Sequence, residues 1–148
     1  MTHGLNSLQS IPDNSVDFIW SHSVLEHIKL NEFKLVSDEL FRILKNGGVC
    51  VHGVDLFDHF EESLNNLKVP ENIWESSLFS NSGFYTNRIR HDQMIDIFKS
   101  SDFEIYSDIT MKWSELPISK NKLSKPYCHY SEENLSIYWF DLILTKNA

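Results

Sequence analysis

The sequence predicts a mixed α/β protein built on one sheet of about four strands. The first observation is a pair of apolar, strand-like runs at 16–20 and 49–54 that flank a stretch with helical periodicity, which together make a β-α-β unit. The second observation is that the last two predicted strands, 103–110 and 136–145, have no helix between them. We therefore expect one parallel pair of strands and a final strand that pairs antiparallel.

The first half of the chain supplies the β-α-β unit. Turn-forming residues dominate residues 1–14, which we predict to be a loop. Val16–Trp20 has the continuous apolar character of a strand buried on both faces. The helix after it is predicted to begin at an N-cap, Asn31, and to end at Gly47-Gly48, because glycine enters the left-handed conformation at low cost. Its apolar stripe follows spacings of three and four residues: Phe33, Val36, Leu40, Ile43 and Leu44.

The second half of the chain is less regular. Residues 56–90 are aromatic and lack a strong periodicity, which predicts an insertion or lid, with a short helix at Glu61–Leu67. A helix is predicted at His91–Ser101, and residues 114–134 are predicted to be a polar loop. The whole chain, 1–148, is expected to be a single domain.

Composition excludes several classes of function. The 148 residues carry a formal net charge of −8, which disfavours nonspecific binding to nucleic acid. No run is apolar enough for a membrane helix, and no signal peptide is visible, so we expect a cytoplasmic protein. The cysteines, Cys50 and Cys128, do not suggest a disulfide framework.

A series of motifs connects the chain to a known family. The segments that carry the resemblance are Pro12–Phe18, Ser21–His27, Arg42–Gly48, Tyr85–Arg90 and Ser101–Ile105. Their order and spacing resemble the C-terminal half of a class I S-adenosylmethionine-dependent methyltransferase, of the type 11-like group. The resemblance implies a partial Rossmann-like methyltransferase fold, with S-adenosylmethionine as the cofactor.

The chain departs from the family pattern at the cofactor anchors. In the family, a Gly-x-Gly loop lets the backbone approach the cofactor and an acidic residue holds its ribose. The sequence contains no Gly-x-Gly, and Gly47-Gly48 follows a helix instead of a strand. We therefore expect a truncated fold that lacks the N-terminal glycine-loop half, and a chain that lacks the main anchors for binding the cofactor.

Candidate site residues lie at the carboxyl ends of the predicted strands, where ligands bind in open α/β sheets. The resemblance places Ser21, His22 and Ser23 along the methionine part of the cofactor; alternatively, their hydroxyls cap the next helix. Asp55, Tyr85 and Arg88 are candidates for contacting the methyl acceptor, with His59 as a catalytic base. The alternatives are an acidic, solvated loop after the second strand and an Arg88 that anchors the insertion through backbone carbonyls.

A metal site is an alternative interpretation of the acidic and histidine residues of the same region, which are His22, Glu26, His27, His52 and His59. Their spacing matches neither His-Glu-x-x-His nor His-x-x-Glu-His, so no metal site is predicted. Glu26 is expected to benefit from the positive end of a helix dipole, and His27 to pack or cap.

Two functions of different classes follow. The first is a methyltransferase-like protein with an unknown acceptor, impaired or inactive as an isolated chain, so the sequence leaves open whether the chain is itself an enzyme. The second is a non-catalytic relic or a homo-oligomeric assembly module; a further possibility is completion of the fold by another polypeptide. We expect a homodimer through the edge of Val16–Trp20 or nearby apolar surface, because an unguarded strand edge tends to be paired or covered. An N-terminal loop over that edge is the alternative cover.

Overall fold

One mixed sheet organises the chain. The structure, a computed structural model, describes residues 4–147. The strands are β1 (Val16–His22), β2 (Leu44–Asp55), β3 (Glu104–Lys112) and β4 (Ile137–Thr145). The sheet has the order β1-β2-β4-β3, in which β1 is parallel to β2 and β4 is antiparallel to both of its neighbours. The predicted fold class, a mixed α/β sheet of four strands with a final antiparallel strand, is confirmed.

The helices are mostly short. They are α1 (Leu5–Gln9), α2 (Phe33–Ile43), α3 (Glu71–Trp74), α4 (Ser77–Ser80), α5 (His91–Ser100) and α6 (Glu132–Ser136). Within residues 4–147, none of these helices combines the length and the apolar character that crossing a membrane requires.

The main core lies on one face of the sheet, under α2 and α5. The apolar stripes of these two helices meet where the rings of Phe33 and Phe98 pack edge to face, with centroids 5.8 Å apart. Each fully buried side chain of this kind contributes about 1.5–3 kcal/mol relative to exposure. The strands contribute the buried residues Cys50, Val54, Phe140, Leu142 and Leu144 to this core.

The opposite face of the sheet is apolar and open. Paired residues of neighbouring strands share a face, and the register places Phe18, Trp20, Ile109 and Met111 away from the core. Phe18 is 58% exposed and Trp20 is 65% exposed. The prediction that Val16–Trp20 is buried on both faces is therefore wrong, because β1 ends the sheet and α2 and α5 cover only its other side.

The predicted boundaries of α2 are also wrong. The N-cap position is Glu32, without a side-chain hydrogen bond, so Asn31 does not cap the helix. The helix ends at Ile43, whose carbonyl accepts a hydrogen bond from Ser15 N–H at 2.9 Å, and strand pairing follows at once. Gly47, with φ of 76°, lies within β2 where its pairing register with β1 shifts, and it does not end the helix.

The predicted N-terminal loop contains a helix. Residues 1–3 of that prediction lie outside the described residues, and Leu5–Gln9 forms α1. Leu5 and Leu8 pack against the main core, so tertiary burial outweighs the turn-forming composition of the segment.

The predicted helix at Glu61–Leu67 is replaced by a capped loop and one 3-10 turn at Asn65–Lys68. The carboxylate of Asp58 accepts hydrogen bonds from the backbone N–H groups of Glu61 at 2.9 Å and Asn65 at 2.6 Å. A side chain that takes up these donors competes with helical pairing.

Residues 114–134 do not form a simple polar loop. Together with the segment 56–90 they enclose a second apolar cluster, formed by Leu64, Leu67, Ile118, Leu123, Tyr127 and Leu135. The few apolar residues of each segment are spaced without periodicity, so only their meeting in the fold reveals the cluster. Whether 56–90 acts as a lid stays a prediction.

Candidate functional site

The carboxyl ends of the parallel strands β1 and β2 meet at one edge of the sheet. Ser21 and His22 end β1, and Asp55 ends β2. Ser23 turns the chain away with a positive φ of 51°, held by a hydrogen bond from its N–H to the carbonyl of Gly53 at 2.9 Å. This is the edge at which open α/β sheets bind ligands.

The candidate cofactor residues differ in their surroundings. The hydroxyl of Ser21 is 2.7 Å from Nδ1 of the buried His52 and is thus already engaged. His22 is exposed, and its ring packs 4.8 Å from that of Trp139. The hydroxyl of Ser23 is 3.3 Å from Nδ1 of His22. Neither serine hydroxyl caps a helix in this structure, and their role toward a cofactor stays a prediction.

Four ionisable side chains converge beside this loop. His59 Nε2 is 3.2 Å from Oδ1 of Asp55, and His27 Nε2 is 3.8 Å from Oε1 of Glu26. The rings of His27 and His59 meet edge to face, with centroids 4.9 Å apart. The parallel pairing of β1 and β2 thus brings together side chains from separate segments of the sequence.

Glu26 is the most unusual member of this group. Its side chain is 2% exposed, and neither carboxyl oxygen has a hydrogen-bond partner within the described part of the chain. Burial, and secondly the negative charge of Asp55, raise the pKa of Glu26 to about 8. Both causes favour the protonated form of this carboxyl relative to that of a solvent-exposed glutamate. The expectation of an ordinary carboxylate at a helix start is wrong, because Glu26 is buried within a 3-10 turn.

The candidate acceptor residues from the insertion are committed to structural contacts. The hydroxyl of Tyr85 donates to Glu75 Oε2 at 2.9 Å and accepts from the Leu30 N–H at 3.2 Å. Arg88 is buried and donates from Nη1 to the carbonyl of Val69 at 2.8 Å. This is the anchoring alternative for Arg88. Binding of an acceptor by Asp55, Tyr85 and Arg88 stays a prediction.

An apolar cavity of about 470 Å³ opens beside the cluster. It lies between α1, β1 and α2, and its polar lining includes Ser21, His27 and His52. Pockets for small ligands fall in the range of about 300–1,000 Å³ and combine an apolar lining with a few polar groups. The cavity therefore has the size and character of a small-molecule site.

Glu26 and His27 were not predicted as site residues. The available signal was an adjacent Glu-His pair soon after one parallel strand and His59 soon after the next. Parallel strands place such segments at the same edge. Motif spacing along the sequence could not detect this, because the pairing depends on the register of β1 against β2.

Comparison with known proteins shows which protein fold this chain resembles. Residues 3–52 match the family model described as a methyltransferase domain. A SAM-dependent methyltransferase from Methanosarcina mazei superposes with a TM-score of 0.61 at 15% identity, over 93% of this chain and 62% of that chain. The chain has the fold of part of a class I methyltransferase. The predicted resemblance is confirmed, and β1 lies within the matched region.

Further solved structures are similar to this chain in fold. A SAM-dependent methyltransferase from Archaeoglobus fulgidus superposes with a TM-score of 0.54 at 14% identity, over 98% of this chain and 66% of that chain. Phosphoethanolamine N-methyltransferase 2 from Haemonchus contortus, in complex with S-adenosyl-L-methionine, gives 0.55 at 17% identity, over 94% of this chain and 35% of that chain. This chain thus spans only part of each of these methyltransferases. No curated protein sequence matches it significantly.

Proposed function

We propose that the chain contributes the acceptor-side part of an S-adenosylmethionine-dependent methyltransferase site, with a small-molecule acceptor that is not identified. As an isolated polypeptide it is expected to bind the cofactor weakly and to transfer methyl groups slowly or not at all. The observation that carries the proposal is the loop Ser21–Ser23, which leaves a parallel strand beside a cavity of about 470 Å³.

The geometry supports separate places for the cofactor and the methyl acceptor. The family resemblance assigns the strand-end loop to the methionine part of the cofactor, and the cavity next to it has room for a small molecule. His59, whose side chain is 27% exposed and 3.2 Å from Asp55, stays the candidate base. Methyl transfer depends chiefly on in-line positioning of the nucleophile and the methyl group, so a base is not its main requirement.

The weakness of binding follows from the missing anchors. The sequence offers no Gly-x-Gly through which a backbone could approach the cofactor. We expect a dissociation constant in the millimolar range for S-adenosylmethionine, equivalent to about 4 kcal/mol of binding free energy.

The test is a titration of the ¹⁵N-labelled chain with S-adenosylmethionine, followed by amide chemical shifts. Shifts are expected at Ser21, His22 and Ser23, without saturation below millimolar concentrations. His22→Ala should weaken them, whereas His129→Ala, which removes an exposed histidine elsewhere, should leave them unchanged. Absence of any shift at millimolar cofactor, or shifts distributed away from the end of β1, would contradict the proposal.

A second candidate function is favoured by the exposed surface of β1. In the described residues, its backbone pairs with β2 alone, and Phe18 and Trp20 are largely exposed beside that edge. We infer as the alternative that the chain is an assembly module, in which β1 pairs with β1 of a second copy. Such pairing would extend the sheet and cover apolar surface by one symmetric contact.

A further inference from the structure

We propose that Glu26, His27 and His59 form a binding site for a divalent transition-metal ion of the zinc type. One potential ligand atom from each residue lies within 4.8 Å of the others. In a tetrahedral zinc site, bonds of about 2.0–2.2 Å place ligand atoms roughly 3.3–3.5 Å apart. Closing the difference needs shifts of about 1 Å, which partly exposed side chains such as His27 and His59 can make.

The ring of His27 is oriented as metal-binding histidines are. Its Nδ1 is 2.8 Å from the backbone carbonyl of Tyr85, so the proton is held there and Nε2 is left with its lone pair. That Nε2 faces Glu26, with 3.8 Å between Nε2 and Oε1. A hydrogen bond to a backbone carbonyl on the far side of the ring is the usual means of fixing the tautomer of a metal ligand.

Glu26 supplies the observation that points to a ligand. Both of its oxygens are buried, and in the described residues neither has a hydrogen-bond partner. A buried polar group without a partner costs about 1–3 kcal/mol, and more when it is charged. No lysine or arginine in the described residues forms an ion pair with Glu26 or Asp55, so a bound cation would satisfy both the geometry and the charge.

The donor set selects the kind of ion. Two imidazoles and one carboxylate form catalytic zinc sites that keep a further position open for water or substrate. Calcium and magnesium prefer sites built from oxygen ligands, so they fit less well. Asp55, which contacts His59 at 3.2 Å, is placed to support that ring, as carboxylates do around metal-bound histidines. In the metal-bound state His59 is a ligand and not a free base.

The test is zinc binding by tag-free protein, measured by calorimetry, with Co²⁺ absorption as a second readout of nitrogen coordination. One Zn²⁺ per chain is expected, with a rise in Tm. His59→Gln is the decisive variant, because the His59 side chain is 27% exposed and its replacement should disturb the fold less than that of the buried Glu26. We expect at least a tenfold loss of Zn²⁺ affinity in His59→Gln, and likewise in His27→Gln and Glu26→Gln.

The matched control is His129→Gln, which removes an exposed histidine outside the cluster and should retain full affinity. Wild-type protein that binds no Zn²⁺, or that binds it equally well in His59→Gln, would overturn the proposal. The Zn²⁺ titrations are made without S-adenosylmethionine, so their result is independent of the cofactor titration. Either proposal can therefore be contradicted while the other stands.

Discussion

At the scale of single residues, His52 shows how burial decides protonation. The residue is 1% exposed, and its ring stacks on that of Phe98 with an angle of 6° between the ring planes. Its Nδ1 is 2.7 Å from the hydroxyl of Ser21. Burial lowers the pKa of His52 to about 4. The sequence identified a strand at this position, but a histidine in a strand gives no sign of which face it occupies.

His52 should make the protein sensitive to acid. Its folded-state pKa lies below the ordinary value of 6.5, so the unfolded chain takes up the proton first as pH falls. The stabilisation is complete above pH 6.5 and is lost as pH falls towards 4, by about 3 kcal/mol at about 1.4 kcal/mol per pKa unit. Urea unfolding at several pH values would measure this loss.

The comparison with variants isolates the contribution of this one group. His52→Gln should have a shallower decline of the unfolding free energy between pH 6.5 and 4, whereas His129→Gln should keep the wild-type decline. Equal slopes in all three proteins would show that another group is responsible.

At the scale of elements, Arg90 connects α5 to the end of β2 and the start of β4. Nη1 donates to the carbonyl of Leu56 at 2.9 Å, and Nη2 lies 2.6 Å from the carbonyl of Ile137. The guanidinium is buried, which lowers the pKa of Arg90 to about 10 and still leaves it charged at neutral pH. The guanidinium of Arg90 is therefore engaged with backbone carbonyls inside the fold.

Arg90→Met should destabilise the protein by at least about 3 kcal/mol, because buried carbonyls of separate elements lose a charged donor. Chemical denaturation would measure the change. Lys99→Met, which removes an exposed cation from the same helix, is the control and should alter stability by less than about 0.5 kcal/mol. A change below 1 kcal/mol for Arg90→Met would mean that these hydrogen bonds do not hold the elements together.

At the scale of the whole molecule, the notable feature is a sheet covered by helices on one side only. On the open face, Phe18 and Trp20 lie on the edge strand β1, and Ile109 and Met111 lie on the opposite edge strand, β3. Exposed apolar surface next to an unpaired strand edge favours association. This surface is the physical basis of the assembly alternative.

If β1 mediates a homodimer, sedimentation velocity should show a dimer for the wild type and a monomer for Phe18→Lys/Trp20→Lys. Tyr106→Lys replaces an exposed aromatic residue of β3, at the sheet edge opposite β1, and should remain dimeric. Loss of the dimer in Phe18→Lys/Trp20→Lys but not in Tyr106→Lys would locate the interface at β1, because both kinds of variant add positive charge to a chain of net charge −8. A wild-type monomer at high concentration would remove the dimer hypothesis.

The sequence by itself determined the four strands and the two longer helices, α2 and α5. The apolar run at β1, the helical stripe of α2 and the absence of a helix between β3 and β4 are local patterns, so they could be recognised without coordinates. They also predicted correctly which strands are parallel and which are antiparallel.

Only the tertiary structure decided which side chains meet and which face solvent. The approach of His59 to His27 and Glu26, the anchoring of Arg88 and the exposure of Phe18 all depend on contacts between segments far apart in the chain. Periodicity records one element's preference for a buried side, but it carries no information on the partner that covers that side. Strand register and crossover geometry supply that information, and they exist only once the sheet has formed.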